Sequence, residues 1–311
     1  MKIRTFKPGD ESTQAALFNE AAAHLPKYKA ASADDIKRRT QDQDYDPSTH
    51  LFAEEGGQVV GYCSFLTNGR IGYPWCKKGQ EAAAAPLFQA ALAGMKQRGL
   101  TTAFAAYRAD WKEILTFFEQ QGFQKVRDVV NYLLDLLDMP TRSTGPIGLQ
   151  PLTLADLPAL VQMAPKALRT HDLAALEKHY FHNPYFQPDS TFVLRARDGT
   201  PAGIGILIQN SDYAEPRSVD ANMPCFRLGS FGSEGLPAKR MDGLFSLLTS
   251  DKKESTAQAL ALLEHAAQKQ EDRDESTLVA QCYSDAGHLA SFYNRYFRKQ
   301  GSFPVYEKKL S

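Results

Sequence analysis

The stretch LFAEEGGQVVGYCSF at residues 51–65 and the stretch VLRARDGTPAGIGILI at residues 193–208 follow one pattern. Each is an apolar run, a polar turn that contains a glycine, and a second apolar run with another glycine inside it. This pattern predicts a β-hairpin. The two glycines of the first hairpin, Gly57 and Gly61, recur 142 positions later in the second. The chain therefore contains an internal repeat.

The end of each half repeats a second pattern. A strand-like run that finishes in tyrosine, TTAFAAY or TLVAQCY, precedes an aromatic-rich helix that contains FFEQQGF or FYNRYF. Alignment of Tyr107 with Tyr283 sets these ends 176 positions apart. The second half is then longer by 34 residues, which we assign to an insertion around residues 210–240. The helix carries Phe118 in the first copy and Tyr293 in the second, a phenyl ring against a phenol.

The length of 311 residues predicts two domains, since a single core rarely organises more than about 250–300 residues. Residues 139–146, MPTRSTGP, are rich in proline, glycine, serine and threonine, and they form the predicted linker. The predicted domains are therefore 1–138 and 147–311. The apolar fraction of 43% allows each of them a core of its own.

Charge and hydropathy argue against several classes of protein. Lys plus Arg and Asp plus Glu number 36 each, so the chain lacks the basic surplus of a general nucleic-acid-binding protein. No apolar run approaches the ~20 residues that span a bilayer. The N-terminal residues MKIRTFKPGDES contain no apolar signal core. We therefore expect a cytoplasmic protein with no membrane or nucleic-acid partner, and the oligomeric state is left open.

The cysteines and histidines predict neither disulfides nor a metal cofactor. The four cysteines lack CxxC spacing and are scattered at Cys63, Cys76, Cys225 and Cys282. His179 and His182 share one helical face, but no nearby set of Cys, Asp or Glu completes a metal site. We interpret Cys282 as a buried, inert thiol.

The predicted elements of each half follow one order: a strand, two helices, a hairpin, a strand, a long helix, a strand, a helix and a last strand. This order resembles that of the GNAT superfamily of acyl-CoA-dependent N-acetyltransferases, twice over and along nearly the whole chain. FFEQQGF at residues 117–123 and SFYNRYF at residues 291–297 are similar to the family's aromatic motif on the helix before the final strand. The resemblance implies an α/β (α+β) chain of two tandem GNAT-like domains, each a mixed, mostly antiparallel twisted sheet flanked by helices.

The resemblance also implies acetyl-CoA as co-substrate. Family members hold its pyrophosphate in a Gln/Arg-x-x-Gly-x-Gly/Ala loop before the long helix, where backbone N–H groups face the phosphates. Both halves depart from that loop, since residues 77–85 read KKGQEAAAA and residues 250–259 read SDKKESTAQA. The candidate acetyl-CoA-binding residues, taken from the two loops, are Lys77, Lys78, Gly79, Gln80, Lys252, Lys253, Ser255 and Thr256.

The same resemblance assigns Tyr293 as the general acid, because family members protonate the departing thiolate from a tyrosine on the last helix. Its other interpretation is a core aromatic residue, since FYNRYF places further rings at helical spacing. Phe118 has no proton to donate, which makes the second half the better catalytic candidate. Two carboxylates are candidates for the base that deprotonates the amine: Asp242, at the start of a predicted strand, and Glu234, in the insertion.

The predicted function is transfer of an acetyl group from acetyl-CoA to an amine by direct attack on the thioester. The acceptor stays open between a small-molecule amine and a peptide or protein amine. The alternative is a non-catalytic binding module of the same fold, because neither loop matches the family's phosphate-binding pattern.

Overall fold

The computed structural model describes residues 1–26, 28, 30–40, 45–139, 149–163, 171–182, 186–187, 189–209, 243–249 and 255–310, and the statements below concern these residues. The helices are α1 (Glu11–Ala22), α2 (Ala33–Thr40), α3 (Ala84–Gln97), α4 (Lys112–Gln120), α5 (Leu157–Met163), α6 (Leu173–Phe181), α7 (Ser255–Glu271) and α8 (His288–Tyr296). The strands are β1 (Lys2–Thr5), β2 (His50–Glu55), β3 (Gln58–Ser64), β4 (Trp75–Cys76), β5 (Thr102–Ala106), β6 (Gln124–Asp135), β7 (Leu149–Pro151), β8 (Thr191–Arg195), β9 (Pro201–Ile208), β10 (Leu244–Thr249), β11 (Thr277–Tyr283) and β12 (Arg298–Lys309).

The chain folds into two compact units that are not contiguous in sequence. Within the described ranges, unit 1 comprises residues 1–128 and 302–310, and unit 2 comprises residues 129–301. The reason lies in the two long strands. The Val129–Asp135 part of β6 pairs with β11 of unit 2, whereas the Val305–Lys309 part of β12 pairs with β5 of unit 1.

The sequence places the two closing strands differently. In the predicted domains 1–138 and 147–311, β6 closes the first half and β12 closes the second. Each strand instead completes the sheet of the other unit, because an antiparallel partner is chosen by register and side-chain fit and not by nearness in sequence. Linker residues 140–146 and the predicted insertion at 210–240 lie outside the described residues.

The sheets of both units are mostly antiparallel, and the sheet of unit 2 is mixed. In unit 1, β1 to β4 are antiparallel neighbours in chain order, and β5 pairs antiparallel with β12. In unit 2 the order is β6-β11-β10-β9-β8-β7, and β10 with β11 is the parallel pair. The first hairpin turns at Gly56 and Gly57, whose φ values of 58° and 81° are the left-handed conformation that a tight hairpin requires.

Helices cover the two faces of the unit 2 sheet, and each face has its own apolar core. Helices α7 and α8 pack on one face, where Leu262 and Tyr293 join Phe245 of β10. Helices α5 and α6 pack on the other face, where Leu160 joins Val279 of β11. Each fully buried large apolar side chain contributes about 1.5–3 kcal/mol to stability.

The repeated glycine of each hairpin has one packing reason in both units. Gly61 pairs with Cys76 across β3 and β4, and a Cβ on Gly61 would lie 2.8 Å from the sulfur of Cys76. Gly203 pairs with Thr249 across β9 and β10, and a Cβ there would lie 3.2 Å from a Thr249 carbon. The long helix approaches each glycine with a leucine side chain at 3.1 Å from that Cβ position. A side chain at either glycine would therefore overlap with its neighbours.

Two local features of unit 1 follow from single residues. Ser32 caps the N-terminus of α2, because its hydroxyl accepts the N–H of Asp35 at 3.1 Å. The strand β4 is short and contains Trp75–Cys76, and an isolated bridge joins Arg70 to Phe104. Pro74 lies between them and has no N–H to donate to a neighbouring strand.

Candidate functional site

The two parallel strands of unit 2 separate near the middle of the sheet. The described register joins β10 to β11 at Leu244 and Val279, and the N–H of Val279 donates to the carbonyl of Gly243 at 3.1 Å. Beyond this point β10 continues to Thr249 and β11 to Tyr283. The inner strand edges past Val279 form an opening that we call the unit 2 opening.

Tyr293 reaches this opening from α8. Its hydroxyl oxygen accepts a hydrogen bond from the backbone N–H of Leu247 on β10. The ring is 2% exposed and stacks on Tyr132 with 5.5 Å between ring centroids. Burial raises the pKa of Tyr293 well above its ordinary value, the nearby Cys282 adds to this, and the Leu247 N–H opposes it. The phenol therefore carries its proton at neutral pH.

A second polar contact lies at the end of β10. The hydroxyl oxygen of Thr249 lies 2.8 Å from Nε2 of His288, the first residue of α8. Thr249 is buried and His288 is half-buried. This contact ties the last residue of β10 to the helix that carries Tyr293.

Cys282 lies next to the phenol on the same face of the sheet. Burial, with a smaller contribution from Asp285, raises the pKa of its thiol to about 12. A thiol with that pKa stays protonated at neutral pH and is a poor nucleophile. The structure agrees with its interpretation as a buried, inert residue.

Comparison with known proteins identifies the fold. No family model matches the chain. A mycothiol acetyltransferase from Thermobispora bispora is 38% identical over 63 residues, which are 20% of this chain and 21% of that protein. One from Acidothermus cellulolyticus is 36% identical over 63 residues, 20% of this chain and 19% of that protein. The matched region thus spans about a fifth of the length of these curated relatives.

Solved structures match along the whole chain. A GCN5-related N-acetyltransferase from Sphaerobacter thermophilus superposes with a TM-score of 0.65 at 16% identity, over 99% of this chain and 95% of that one. A tandem GNAT protein from the clavulanic acid biosynthesis pathway has a TM-score of 0.57 at 11% identity, over 100% and 98%. The chain has a tandem GNAT fold. The fold class predicted from element order is therefore confirmed.

The two GNAT units correspond residue by residue at an offset of 175 positions in their later elements. Tyr306 on β12 donates its hydroxyl to Glu119 at 2.7 Å in unit 1, and Tyr132 on β6 donates to Asn294 at 2.9 Å in unit 2. Residues 119 and 294 are 175 apart, as are Phe118 and Tyr293. The exchanged strands thus supply equivalent tyrosines to the two units.

This offset corrects the alignment of the strand-ending tyrosines by one position. Tyr107 is equivalent to Cys282 and not to Tyr283. Tyr107 is buried on the same side as Phe118, with 5.6 Å between the stacked rings. Tyr283 follows Cys282 on the opposite face of its strand and is 41% exposed. A strand has a side-chain period of two, so a shift of one residue exchanges the faces.

Unit 1 fills its own opening. The hydroxyl of Tyr107 accepts the backbone N–H of Tyr73 at 2.6 Å, which places a ring where a neighbouring strand would continue. Trp75, Trp111 and Phe117 pack into the same aromatic cluster. Gly61 pairs with Cys76 and Gly203 pairs with Thr249, so the residues two positions earlier, Pro74 and Leu247, are equivalent. Proline has no backbone N–H, so unit 1 lacks the donor that Tyr293 accepts in unit 2.

The loop before α3 uses its N–H groups internally. The N–H of Lys78 donates to Glu20 at 2.9 Å, and the N–H of Gly79 donates to Glu81 at 2.9 Å. The Gly79 N–H is the main cause that lowers the pKa of Glu81. The side chains of Lys77 and Lys78 are exposed, and Gln80 is half-buried. Two carboxylates therefore bond to the amides that a pyrophosphate would need.

Several predicted site residues of unit 2 fall beyond the described part of the chain. Asp242, Glu234, Lys252 and Lys253 lie outside it, as does the side chain of Ser255. Thr256 is exposed in the first turn of α7. These assignments stay predictions. Among the described residues, no group of three His, Cys, Asp or Glu side chains is arranged to hold a metal ion, and no helix is both long and apolar enough to cross a membrane.

Sequence reasoning missed three features of the unit 2 opening. They are the Leu247 N–H, the contact between Thr249 and His288, and a buried hydrogen bond between Gln281 and Asn131. The first had a signal in the sequence, because alignment of the hairpin glycines and their neighbour strands sets Leu247 against Pro74. The other two join residues that are 39 and 150 positions apart, which no local pattern reveals.

Proposed function

We propose that the chain is an acyl-CoA-dependent N-acetyltransferase that acts in unit 2. The observation that carries the proposal is the buried phenol of Tyr293 on the Leu247 N–H, at the point where β10 and β11 separate. The tandem GNAT fold and the names of the mycothiol acetyltransferases support an acetyl transfer to an amine. The acceptor is a small-molecule or peptide amine.

Tyr293 has the properties of a general acid. The phenol oxygen accepts the Leu247 N–H, which orients the ring, while the hydroxyl proton remains available for donation. In the proposed reaction the amine nitrogen attacks the thioester carbon and the C–S bond breaks. The departing sulfur takes the Tyr293 proton and leaves as the free thiol, and the amine loses a proton to base or water. The phenolate then regains its proton from solvent.

The remaining roles follow from the loop sequence of unit 2. We assign the pyrophosphate to the N-terminus of α7, with charge from Lys252 and Lys253 and polar groups from Ser255 and Thr256. Asp242 and Glu234 are the candidate bases for the amine. These residues supply binding and proton transfer, and the role of each rests on its sequence position.

Unit 1 is non-catalytic in this proposal. Phe118 stands in place of Tyr293, Pro74 stands in place of Leu247, and the loop amides of Lys78 and Gly79 already bond to carboxylates. The strand β6 begins in unit 1, and its Val129–Asp135 part completes the sheet of unit 2.

The test is acetyl-CoA-dependent release of free CoA in the presence of amines, followed with a thiol reagent. We expect Tyr293→Phe to lower kcat by about 100-fold or more, the usual contribution of a general acid. The matched control is Tyr107→Phe, which removes a buried phenol that also accepts a backbone N–H, but from unit 1. The control should keep its kcat.

Three results would count against the proposal. Equal kcat values for the wild type and Tyr293→Phe would show that Tyr293 is not the general acid. Calorimetry that detects no acetyl-CoA binding at millimolar concentration would favour a non-catalytic module of the same fold. A Tyr107→Phe variant as inactive as Tyr293→Phe would show that the loss reflects packing and not proton transfer.

A further inference from the structure

A pair of amide side chains is buried inside the unit 2 sheet. Gln281 on β11 and Asn131 on β6 are direct register partners, and Nε2 of Gln281 donates to Oδ1 of Asn131 at 2.6 Å. They are 7% and 4% exposed. Burial of amide groups costs free energy unless they are hydrogen-bonded, so their presence among apolar strands requires a reason.

The strand alternation assigns this amide pair to one face of the sheet. Ala280 and Cys282 on either side of Gln281 belong to the core under α7 and α8, as do Val130 and Tyr132 on either side of Asn131. Successive side chains on a strand point to opposite faces. The amide pair therefore lies on the face of α5 and α6, opposite to Tyr293.

Unit 1 shows that the fold does not need the amides. At the 175-position offset Gln281 corresponds to Ala106, whose register partner is Val305 on β12. Ala106 and Val305 are 2% and 7% exposed. The same place in the same fold is thus built from two small apolar residues, and the polar pair is specific to the unit with the Tyr293 phenol.

The amide pair keeps unused bonding capacity. An amide side chain carries two N–H donors and a carbonyl with two lone pairs, and one shared hydrogen bond consumes one donor and one acceptor site. The carbonyl oxygen of Gln281 and the NH₂ group of Asn131 can therefore still accept and donate. Together they match a group that is both donor and acceptor, such as a hydroxyl or an amide.

The pair also lies on the face of the sheet that the proposed reaction leaves for the acceptor. Tyr293 and Tyr132 stack their rings on the α7–α8 side, so the proposed reaction would bring the amine from the other face. Gln281 is two residues beyond Val279, where β10 and β11 separate. On this face Ser246 of β10 is half-buried and Tyr283 is 41% exposed, so the sheet face becomes more polar and open toward the ends of the strands.

We propose that Gln281 and Asn131 bind the acceptor, by hydrogen bonds to a hydroxyl or amide group close to its amine. The inference rests on the proposed function and specifies the class of substrate: a polar amine with an uncharged donor–acceptor group beside the nucleophilic nitrogen. Neither side chain carries charge, so the pair selects by hydrogen bonding and not by attraction of an ion.

The test compares 2-amino-1,3-propanediol with isopropylamine, which has the same carbon skeleton and amine position but lacks the two hydroxyls, as acceptors from acetyl-CoA. The wild type should prefer the diol by at least about tenfold in kcat/KM, because a site built to hydrogen-bond a hydroxyl discriminates against the analogue that lacks it. The double variant Gln281→Ala/Asn131→Val installs the residues of unit 1. We expect it to lose the preference through a higher KM for the diol, while its KM for acetyl-CoA and its melting temperature stay near the wild-type values.

The control is Gln89→Ala/Gln121→Ala, which removes an exposed amide pair of unit 1 with a hydrogen bond of 3.1 Å. It should keep the preference for the diol. A double variant of Gln281 and Asn131 that retains the preference overturns the inference. A wild type that acetylates both amines equally well overturns the inference and leaves the proposed function intact. A wild type that acetylates neither amine overturns the inference, and the proposed function is then decided by CoA release with peptide amines.

Discussion

The hydroxyl oxygen of Tyr107 accepts the backbone N–H of Tyr73 at a distance of 2.6 Å. In a continuous parallel sheet that N–H would donate to a carbonyl of the adjacent strand. In unit 1 the Tyr107 side chain accepts this N–H instead of a strand carbonyl. The aromatic cluster around Tyr107 fills the opening of unit 1. In unit 2 the strand position of Tyr107 holds the small thiol of Cys282, and the phenol comes from α8 instead.

This difference predicts that one acyl-CoA binds per chain. The variant Lys252→Glu/Lys253→Glu should weaken CoA binding at least about tenfold, because it reverses charge at the loop that we assign to the pyrophosphate. The matched variant Lys77→Glu/Lys78→Glu should leave the affinity unchanged, since the amides of that loop already bond to Glu20 and Glu81. Titration calorimetry measures affinity and stoichiometry together. A stoichiometry of two CoA molecules per chain, or equal losses of CoA affinity in both variants, would contradict the prediction that unit 1 does not bind acyl-CoA.

We expect substitution by alanine to destabilise the protein by different amounts at Gly205 and at Gly199. A Cβ on Gly205 would lie 2.1 Å from a ring carbon of Phe192, so Gly205→Ala should destabilise the protein by about 1–3 kcal/mol through overpacking. A Cβ on Gly199 would meet nothing within 4 Å, and its φ of 83° limits the cost to about 1 kcal/mol of backbone strain. Urea unfolding monitored by circular dichroism gives both values. A larger loss for Gly199→Ala would contradict the packing of β8 on β9.

The ion pair of Asp156 and Arg195 predicts a pH dependence of stability. The two guanidinium nitrogens lie 2.7 and 2.9 Å from the carboxylate, whose side chain is 7% exposed. The Arg195 hydrogen bonds are the main cause that lowers the pKa of Asp156, partly opposed by burial. Because the folded pKa is below the unfolded one, the pair stabilises above the unfolded pKa of about 3.9, and this contribution is lost as the pH falls through the folded pKa.

Asp156→Asn should therefore lower the free energy of unfolding by about 2 kcal/mol at pH 7 and by progressively less below pH ~4. Arg195→Met should have a similar effect, and the double variant should lose less than the sum of the two, since the residues act as one pair. Chemical unfolding at several pH values checks both statements. Additive losses, or a difference from wild type that persists at low pH, would show that the two side chains act independently.

The hairpin glycines and the element order were readable from the sequence because their causes are local. A tight turn needs a left-handed residue at Gly57, and Gly61 and Gly203 leave no room for a side chain under the long helix, so the repeat appears as a fixed spacing. Hydrophobic periodicity then marks each strand and helix to within a few residues. The contrast of Phe118 with Tyr293 was visible for the same reason, since both lie in one short aromatic motif.

The sequence by itself thus determined a doubled GNAT fold with a phenol in the second copy. Only the tertiary structure decided which strand completes which unit, because β6 and β12 carry equally suitable strand patterns and their partners are set by long-range register. It also decided that Tyr107 corresponds to Cys282, which a one-residue ambiguity in a linear alignment hides. The amide pair of Gln281 and Asn131 follows from the same cause: two residues 150 positions apart become neighbours only when the strands pair.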